Sequence, residues 1–365
     1  MTDSLRLNDV TVPYVNSRLG AGAEQSDAAK LTANAELSFQ GSIALGMGFT
    51  LTPEERDHLI AKDPRNAERI FPFLGGKEVN TSPTQSFHRY VINFGQMSLE
   101  EAEAWPDLIA IVREKVKPER LRLPPKNAWN KDVACRWWQF GAGRLGLYAA
   151  IAPLKRCLVT ARVTKHLCFS FQPTNRILNE KIVAFPSEHF TLFAILQSRL
   201  HEPWVRLLSS TLKTDLNYSA SDCFETFPFP DVDPRAVFAQ LEAIGEELYE
   251  TRARYMTERE VGLTTTYNRL KDPSWDEADI RKLRTLHEAV DKAVLDEYGW
   301  GDLRVPPYCS EPSRAFEAEI VERLYALNRT RTGNMQSPMR PKTRKNSPVR
   351  SSSPGTYTRN EAVLL

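Results

Sequence analysis

Two hydrophobic periods divide the chain. Up to about residue 230, apolar residues come in short runs or alternate with polar ones; beyond Pro234 they recur every three or four positions. In the first part, Leu37–Thr50 carries three glycines between short apolar runs, a pattern of strands and tight turns. Thr52-Pro53-Glu54-Glu55 opens a helix with a capping hydroxyl, a proline at the first helical position and carboxylates at the positive helix end. Arg89–Phe94 reads as a strand. Ser98-Leu99-Glu100-Glu101 starts another helix that resumes after Pro106 over Leu108–Val116. Pro118–Lys126 reads as a basic, proline-rich loop. Cys157–Thr160, Leu167–Phe171 and Ile182–Phe185 are strand-like, Leu145–Ile151 is a short helix, and Phe190–Leu200 is a longer one.

In the second part, Val237, Phe238, Leu241, Ile244 and Leu248 form one helical stripe. Ile280, Leu283, Leu286, Val290 and Val294 form another, stopped by Gly299, and Phe316, Ile320, Leu324 and Leu327 form a third. These stripes are core positions of a helical bundle. The junction is Tyr218–Pro230, where Phe224, Phe227 and Phe229 end against Pro228 and Pro230, which continue neither a ladder nor a helix interior. Residues 331–365 hold few large apolar side chains, and Arg329–Arg350 has seven basic residues and no acid. The expected fold class is therefore α+β: a lead-in (1–30), a mixed strand/helix domain (31–230), a C-terminal helical bundle (231–330) and a disordered basic tail (331–365).

Composition adds limits. The chain has 365 residues, enough for two or three domains, and its 48 basic against 46 acidic residues leave a formal net charge of only +2. Any surface for a polyanion must be local. Five cysteines at 135, 157, 168, 223 and 309 form no Cys-x-x-Cys pair, which argues against a disulfide framework or zinc ribbon and for a reducing compartment. With no basic-then-apolar leader and no apolar run near eighteen residues, the chain reads as a soluble cytoplasmic protein without a membrane partner.

Several motifs suggest chemistry and lack its context. Gly141-Ala142-Gly143-Arg144-Leu145-Gly146 matches the dinucleotide fingerprint, but Arg136–Phe140 is a poor buried strand, and the next acid after Asp132 is Glu180. A turn before the Leu145–Ile151 helix is the better reading. Gly46-Met47-Gly48-Phe49 has the look of an AdoMet glycine loop without the acid and proline that usually precede one. The Asn-Pro-Pro-aromatic motif that would hold a flipped adenine is missing from the chain. No nuclease, metal or nucleophile constellation stands out: His166 lies near Cys168, His189 is isolated from other ligand types, and both read as core or surface histidines. The expected catalytic, cofactor-binding and metal residues are none. Trp137 and Trp138 are expected in the core, with base stacking as the alternative.

The order of short motifs carries a resemblance. Asn34–Ser42, Gly46–Phe49, Phe71–Glu78, Arg89–Phe94, Trp137–Phe140, Lys213–Ser219, Phe227-Pro228-Phe229-Pro230, Gly262–Asn268, Tyr298-Gly299-Trp300 and Leu327-Asn328-Arg329 follow one another as landmarks do in MmeI-like and PglX-like adenine-specific DNA methyltransferases of restriction–modification and phage-defence systems. The chain resembles their target-recognition domain and C-terminal helical part. The resemblance implies sequence-specific recognition of double-stranded DNA for adenine-N6 methylation. In the family, a long N-terminal part holds AdoMet and the catalytic loop, sometimes behind a nuclease. This chain starts about where that part ends, so the expectation is a split or truncated form, AdoMet belonging to the missing part or to a separately encoded catalytic subunit. The competing reading is a stand-alone DNA-binding or interaction protein without associated catalysis.

By the same resemblance, alternate positions of Lys213-Thr214-Asp215-Leu216-Asn217 contact bases. Lys donates to guanine O6 and N7, Asp accepts from cytosine N4, and Asn pairs with adenine N6 and N7, so Lys213, Asp215 and Asn217 are the candidate base readers, expected on one strand face. Without the resemblance, Lys213 and Asp215 are an ordinary surface pair. Arg156, Arg162 and Lys165, which flank the central strands, and Arg120, Arg122 and Lys126, in the basic loop, are the candidate phosphate contacts.

Overall fold

The computed structural model describes residues 5–7, 10–12, 28–212, 215–309 and 314–333, with the backbone alone described for 5–7, 10–12, 210–212 and 314. Leu5–Leu7 and Val10–Val12 pair as an antiparallel ribbon. The tail expected from residue 331 lies outside the described residues from 334 onward. Its expected start is corrected: Arg331 ends the Arg314–Arg331 helix, and its guanidinium donates to Pro230 O at 3.1 Å.

Both capping boxes form. Thr52 Oγ1 accepts from Glu55 N while Glu55 Oε2 accepts from Thr52 N, opening the Pro53–Lys62 helix. Ser98 and Glu101 exchange the same two bonds at a helix only four residues long, Leu99–Ala102, before Pro106–Lys115. Those helices cover a four-stranded sheet ordered Ile177–Leu178, Ile70–Leu74, Arg89–Ile92, Thr50–Leu51. Phe49, Val91, Phe94, Leu108, Val112 and Phe140 fill the core between them. Trp137 is 5% exposed, and Trp138 is half-buried and donates to Met97 O, which settles both as packing residues.

The larger core surrounds a second four-stranded antiparallel sheet, Phe39–Gln40, Ile182–Phe185, Arg156–Ala161, Phe169–Pro173. Cys157–Ala161 is buried without alternation, as a strand covered on both faces must be. The Phe190–Gln197 helix is buried at every position. The Ala239–Glu258 helix crosses it at Gly245, where an added Cβ would stand 2.8 Å from Phe190 O. The helix expected over Phe190–Leu200 stops at Gln197, because Arg199 N donates to Asp291 rather than up the helix. Arg199 Nε meets the other Asp291 oxygen at 2.6 Å, and Asp291 is fully buried.

All five residues of the Ile280 stripe are buried on the Ala278–Glu297 helix, which Gly299 ends at φ +70° with Trp300 N on Leu295 O. The first stripe is corrected at Val237, which is 50% exposed because its helix starts two residues later. At the junction the chain makes a π-helical turn over Ala220–Phe224, and Phe224, Phe227 and Phe229 pack on one another. Two asparagines pin this turn: Asn34 Nδ2 donates to Phe224 O and Phe227 O, and Asn328 Nδ2 to Thr226 O and Ala29 O. The start of the mixed domain, the junction and the last helix are thus one packed unit. Among the described residues, no helix is long and apolar enough to cross a membrane.

Candidate nucleic-acid interface

A small antiparallel sheet gathers four of the candidate residues. Its order is Ser210–Leu212, Asp215–Asn217, Val163–Thr164, with Leu216 opposite Thr164 and Asn217 opposite Val163. Side chains alternate across a strand. Leu216 (2% exposed) and Thr164 (5%) therefore point into the body, leaving half-buried Asp215 and Asn217 to share the outer face with Val163. Continuing the register sets exposed Lys165 across from Asp215. Arg162 enters the same edge, its carbonyl accepting from Tyr218 N at 2.7 Å.

The outer face rests on a rigid floor. Tyr218 is fully buried, edge-on to Phe169 and Phe185, with its hydroxyl 3.2 Å from His201 Nε2. Burial pushes the Tyr218 phenol well above its usual range and drops His201 to about 3, so both stay neutral at pH 7. One side of the sheet is tied to the helical part through Asn268, whose Oδ1 accepts from Lys165 Nζ at 2.7 Å and from His166 Nε2 at 2.9 Å. Sequence reasoning singled out Asn268 only as the end of a landmark; its role depends on a contact across 103 positions.

Next to that joint, Lys271 and Arg206 both reach Glu202. Burial opposes the Glu202 charge, but Lys271 and Arg206 outweigh it and hold the carboxyl at about 2, below its ordinary 4.5. A depressed carboxyl stabilises the fold above the unfolded value and loses that contribution as pH falls through the folded one. Glu202→Gln is therefore expected to destabilise the protein at pH 7 by about 2–3 kcal/mol, with the gap to wild type closing as pH falls from about 4.5 toward 2. Urea unfolding at both ends of that range checks it.

The remaining described candidates, Arg120, Arg122, Lys126 and Arg156, lie apart from this sheet. Lys213 lies outside the described residues. The single strand expected to carry it with Asp215 is corrected: the chain reverses between Leu212 and Asp215, which pair across the ladder. The Pro118–Lys126 loop is corrected too, since Lys117–Leu121 is helical. Arg120, expected on a phosphate, is 1% exposed. Its guanidinium donates to Ala44 O at 2.6 Å and Gln139 O at 2.7 Å and makes longer bonds to Leu45, Val133 and Arg136 carbonyls. Arg156 is held at Glu188 O (2.6 Å) with its guanidinium 4.0 Å over Phe171 and 4.5 Å over Phe190, an anchor for the central sheet. Arg122 and Lys126 are exposed beside the smaller core.

Both glycine runs are tightly packed. A Cβ on Gly48 would meet Lys115 Cβ at 2.5 Å, and one on Gly141 would meet Trp129 and Leu45, so these glycines serve packing. Arg144, at φ +57°, turns the second run into the Leu145–Ile151 helix with no strand before it. All five cysteines are free, and no metal-ligand cluster occurs among the described residues.

A mixed α/β body with a small three-stranded sheet, closed by packed helices, is the class of protein this geometry defines. The chain belongs to the MmeI target-recognition-domain family, whose sequence model matches residues 25–231. It is 40% identical over 206 residues to DNA methyltransferase A of Bacillus subtilis (strain 168), a stretch covering 56% of this chain and 22% of that protein. Its fold matches that of the Type IIL restriction–modification enzyme MmeI, solved in complex with DNA, with a TM-score of 0.67 at 21% identity over 89% of this chain and 39% of that one. The chain thus spans about a fifth of the curated relative's length.

Proposed function

We propose that this chain recognises a specific site in duplex DNA on behalf of an AdoMet-dependent adenine methyltransferase of a restriction–modification or phage-defence system, with AdoMet bound by a catalytic part or subunit outside these 365 residues. The observation that carries it is the outer face of the small sheet in a member of this family: Asp215 and Asn217 stand side by side over buried Leu216, Thr164 and Tyr218. A two-stranded ribbon fits the major groove, where each base pair shows its own donor and acceptor pattern. Asp215 accepts from cytosine N4, Asn217 pairs with adenine, and Lys213 supplies the donor for guanine. Side chains fixed by a packed floor lose little freedom on binding, which sharpens discrimination.

Arg162 and Lys165 border this face and act on phosphates. Arg162→Ala or Lys165→Ala is expected to weaken binding evenly across sequences and to lower the salt slope by about one unit each. The test is selection of bound duplexes from a random library, followed by salt titration of the selected site. A library returned without enrichment overturns the recognition role. Supplying the selected site with a catalytic partner and AdoMet then asks whether adenine methylation follows; none would leave a stand-alone binder.

A further inference from the structure

We infer that the chain grips DNA at a second, sequence-independent face, the turn joining the Lys117–Leu121 and Ala128–Cys135 helices; the inference rests on the reading of the chain as a DNA-recognition domain. Residues 113–144 hold nine arginines and lysines against three carboxylates, in a chain whose formal net charge is only +2. The structure sorts these cations. Arg113, Lys115 and Arg136 are paired with Glu103, Glu55 and Asp132. Arg120 is buried, Lys117 lies over the Trp137 ring, and Arg144 donates to Gln40. Arg122, Lys126 and Lys131 are left, all exposed, on the turn and the first turn of the helix after it, and with no ion pair among the described residues. Beside them stand two large apolar side chains that the fold covers only in part, Leu121 (60% exposed) and Trp129 (41%).

The turn is built rather than loose. Pro124 and Pro125 stiffen it, Asn127 caps the second helix at Asn130 N (2.8 Å), and Asn130 Nδ2 reaches back to Pro124 O (2.7 Å). Arg120 clamps both helices from below through the carbonyls of Val133, Arg136 and Gln139. A preformed, unpaired cluster of cations is complementary to a row of phosphates, contacts that position a protein on the duplex without carrying sequence information. The exposed Trp129 and Leu121 fit the sugar edge of a groove between those phosphates. Since no carboxylate of this turn faces outward beside the three cations except Glu119 and Asp132, and Asp132 is taken by Arg136, a polyanion is the occupant the charge favours over a protein surface.

The experiment uses the full chain and a mixed-sequence duplex, with affinity followed by fluorescence anisotropy over a salt series. Loss of three phosphate contacts flattens the plot of log affinity against log salt by about 0.9 per contact. The triple variant Arg122→Glu/Lys126→Glu/Lys131→Glu, and the milder triple glutamine variant, are expected to lose two to three units of slope, while the site selected from a random library stays the same. Trp129→Ala is expected to weaken binding several-fold at unchanged slope. An unchanged melting midpoint shows that the variants fold. An unaltered slope in a folded triple variant overturns this inference alone, as does loss of binding to a catalytic partner protein with DNA affinity intact. A wild-type chain that binds no duplex at low salt overturns the recognition reading as well.

Discussion

Arg120→Met is expected to unfold the smaller lobe at far lower denaturant than any other single change among the candidate basic residues, at a cost of about 3–5 kcal/mol. The guanidinium is buried and its hydrogen bonds all go to backbone carbonyls, so oxygen dipoles carry most of the balance of its charge. Burial and the nearby Arg136 charge pull its pKa down to about 10, offset in part by Asp132 and Glu119, which still leaves it protonated at neutral pH. Two of its acceptors, Val133 O and Arg136 O, lie at the carbonyl end of the Ala128–Cys135 helix, where a cation also meets the negative end of the helix dipole, and a third, Gln139 O, lies just beyond it. The others, Ala44 O and Leu45 O, belong to a segment 75 residues earlier, at the entry to the Met47–Phe49 turn. Methionine fills the volume but removes this donor from all five carbonyls, of which Arg136 O keeps Gln139 N at 3.0 Å; a carbonyl left buried and unpaired costs about 1–3 kcal/mol. Lysine does not replace it, because one ammonium cannot span the fork that reaches both segments. Arg122→Ala, two residues on and exposed, is expected to shift stability by no more than about 0.5 kcal/mol. Equilibrium urea unfolding of the three variants checks all of this; a wild-type midpoint for Arg120→Met would mean that the guanidinium is dispensable to the lobe.

The same arginine shows where sequence stops being legible. Local rules worked where the cause is local. Thr52/Glu55 and Ser98/Glu101 form their capping boxes, the unbroken apolar run at Cys157–Thr160 is a doubly covered strand, and Gly299 ends its helix with positive φ. Arg120 sits in a stretch rich in proline and charge whose local reading is a solvated loop. Its burial is decided by carbonyls 13 to 76 positions away. The helix break at Ser198 has the same origin: Phe190–Leu200 is periodic throughout, and Asp291, 92 residues on, captures the backbone donor. At the candidate site, alternation placed Asp215 and Asn217 together, because strand faces follow from period two. It also ran Lys213 into the same strand, because nothing in the composition of Lys213-Thr214 marks the reversal between Leu212 and Asp215. Lys165 and Arg162 were legible as cations near a strand; their place on the edge of this small sheet, rather than with Arg156 on the central one, comes only from pairing with Asp215–Asn217.

Exchanging the charges of Lys213 and Asp215 is expected to move the recognised sequence. In the double variant Lys213→Glu with Asp215→Arg, the acceptor and donor trade places, so the preferred pair at one position shifts from G·C towards C·G. A good bidentate contact discriminates by about 1–3 kcal/mol, so relative affinity for the two pairs should change tenfold or more. Asp215 is placed for this by its neighbours: Leu216 is locked into the core, which fixes the outward direction of the residues on either side, and Asp215 is half-buried, with Lys165 across the register. Asn217 shares that face one step further along the strand, a spacing of about 6–7 Å, so it faces the adjoining base pair rather than the same one. Asn217→Ala should therefore relax selection at a neighbouring position, towards no preference, and leave the G·C position untouched. The two effects separate base reading from general affinity, since Arg162 and Lys165 variants weaken all sequences together. Selection of bound duplexes from a random library, run in parallel on the wild type, the double variant and Asn217→Ala, gives the answer. An identical selected site in all three would return Lys213 and Asp215 to the status of a solvated surface pair worth about 0–1 kcal/mol, and base reading would then have to lie elsewhere on the domain.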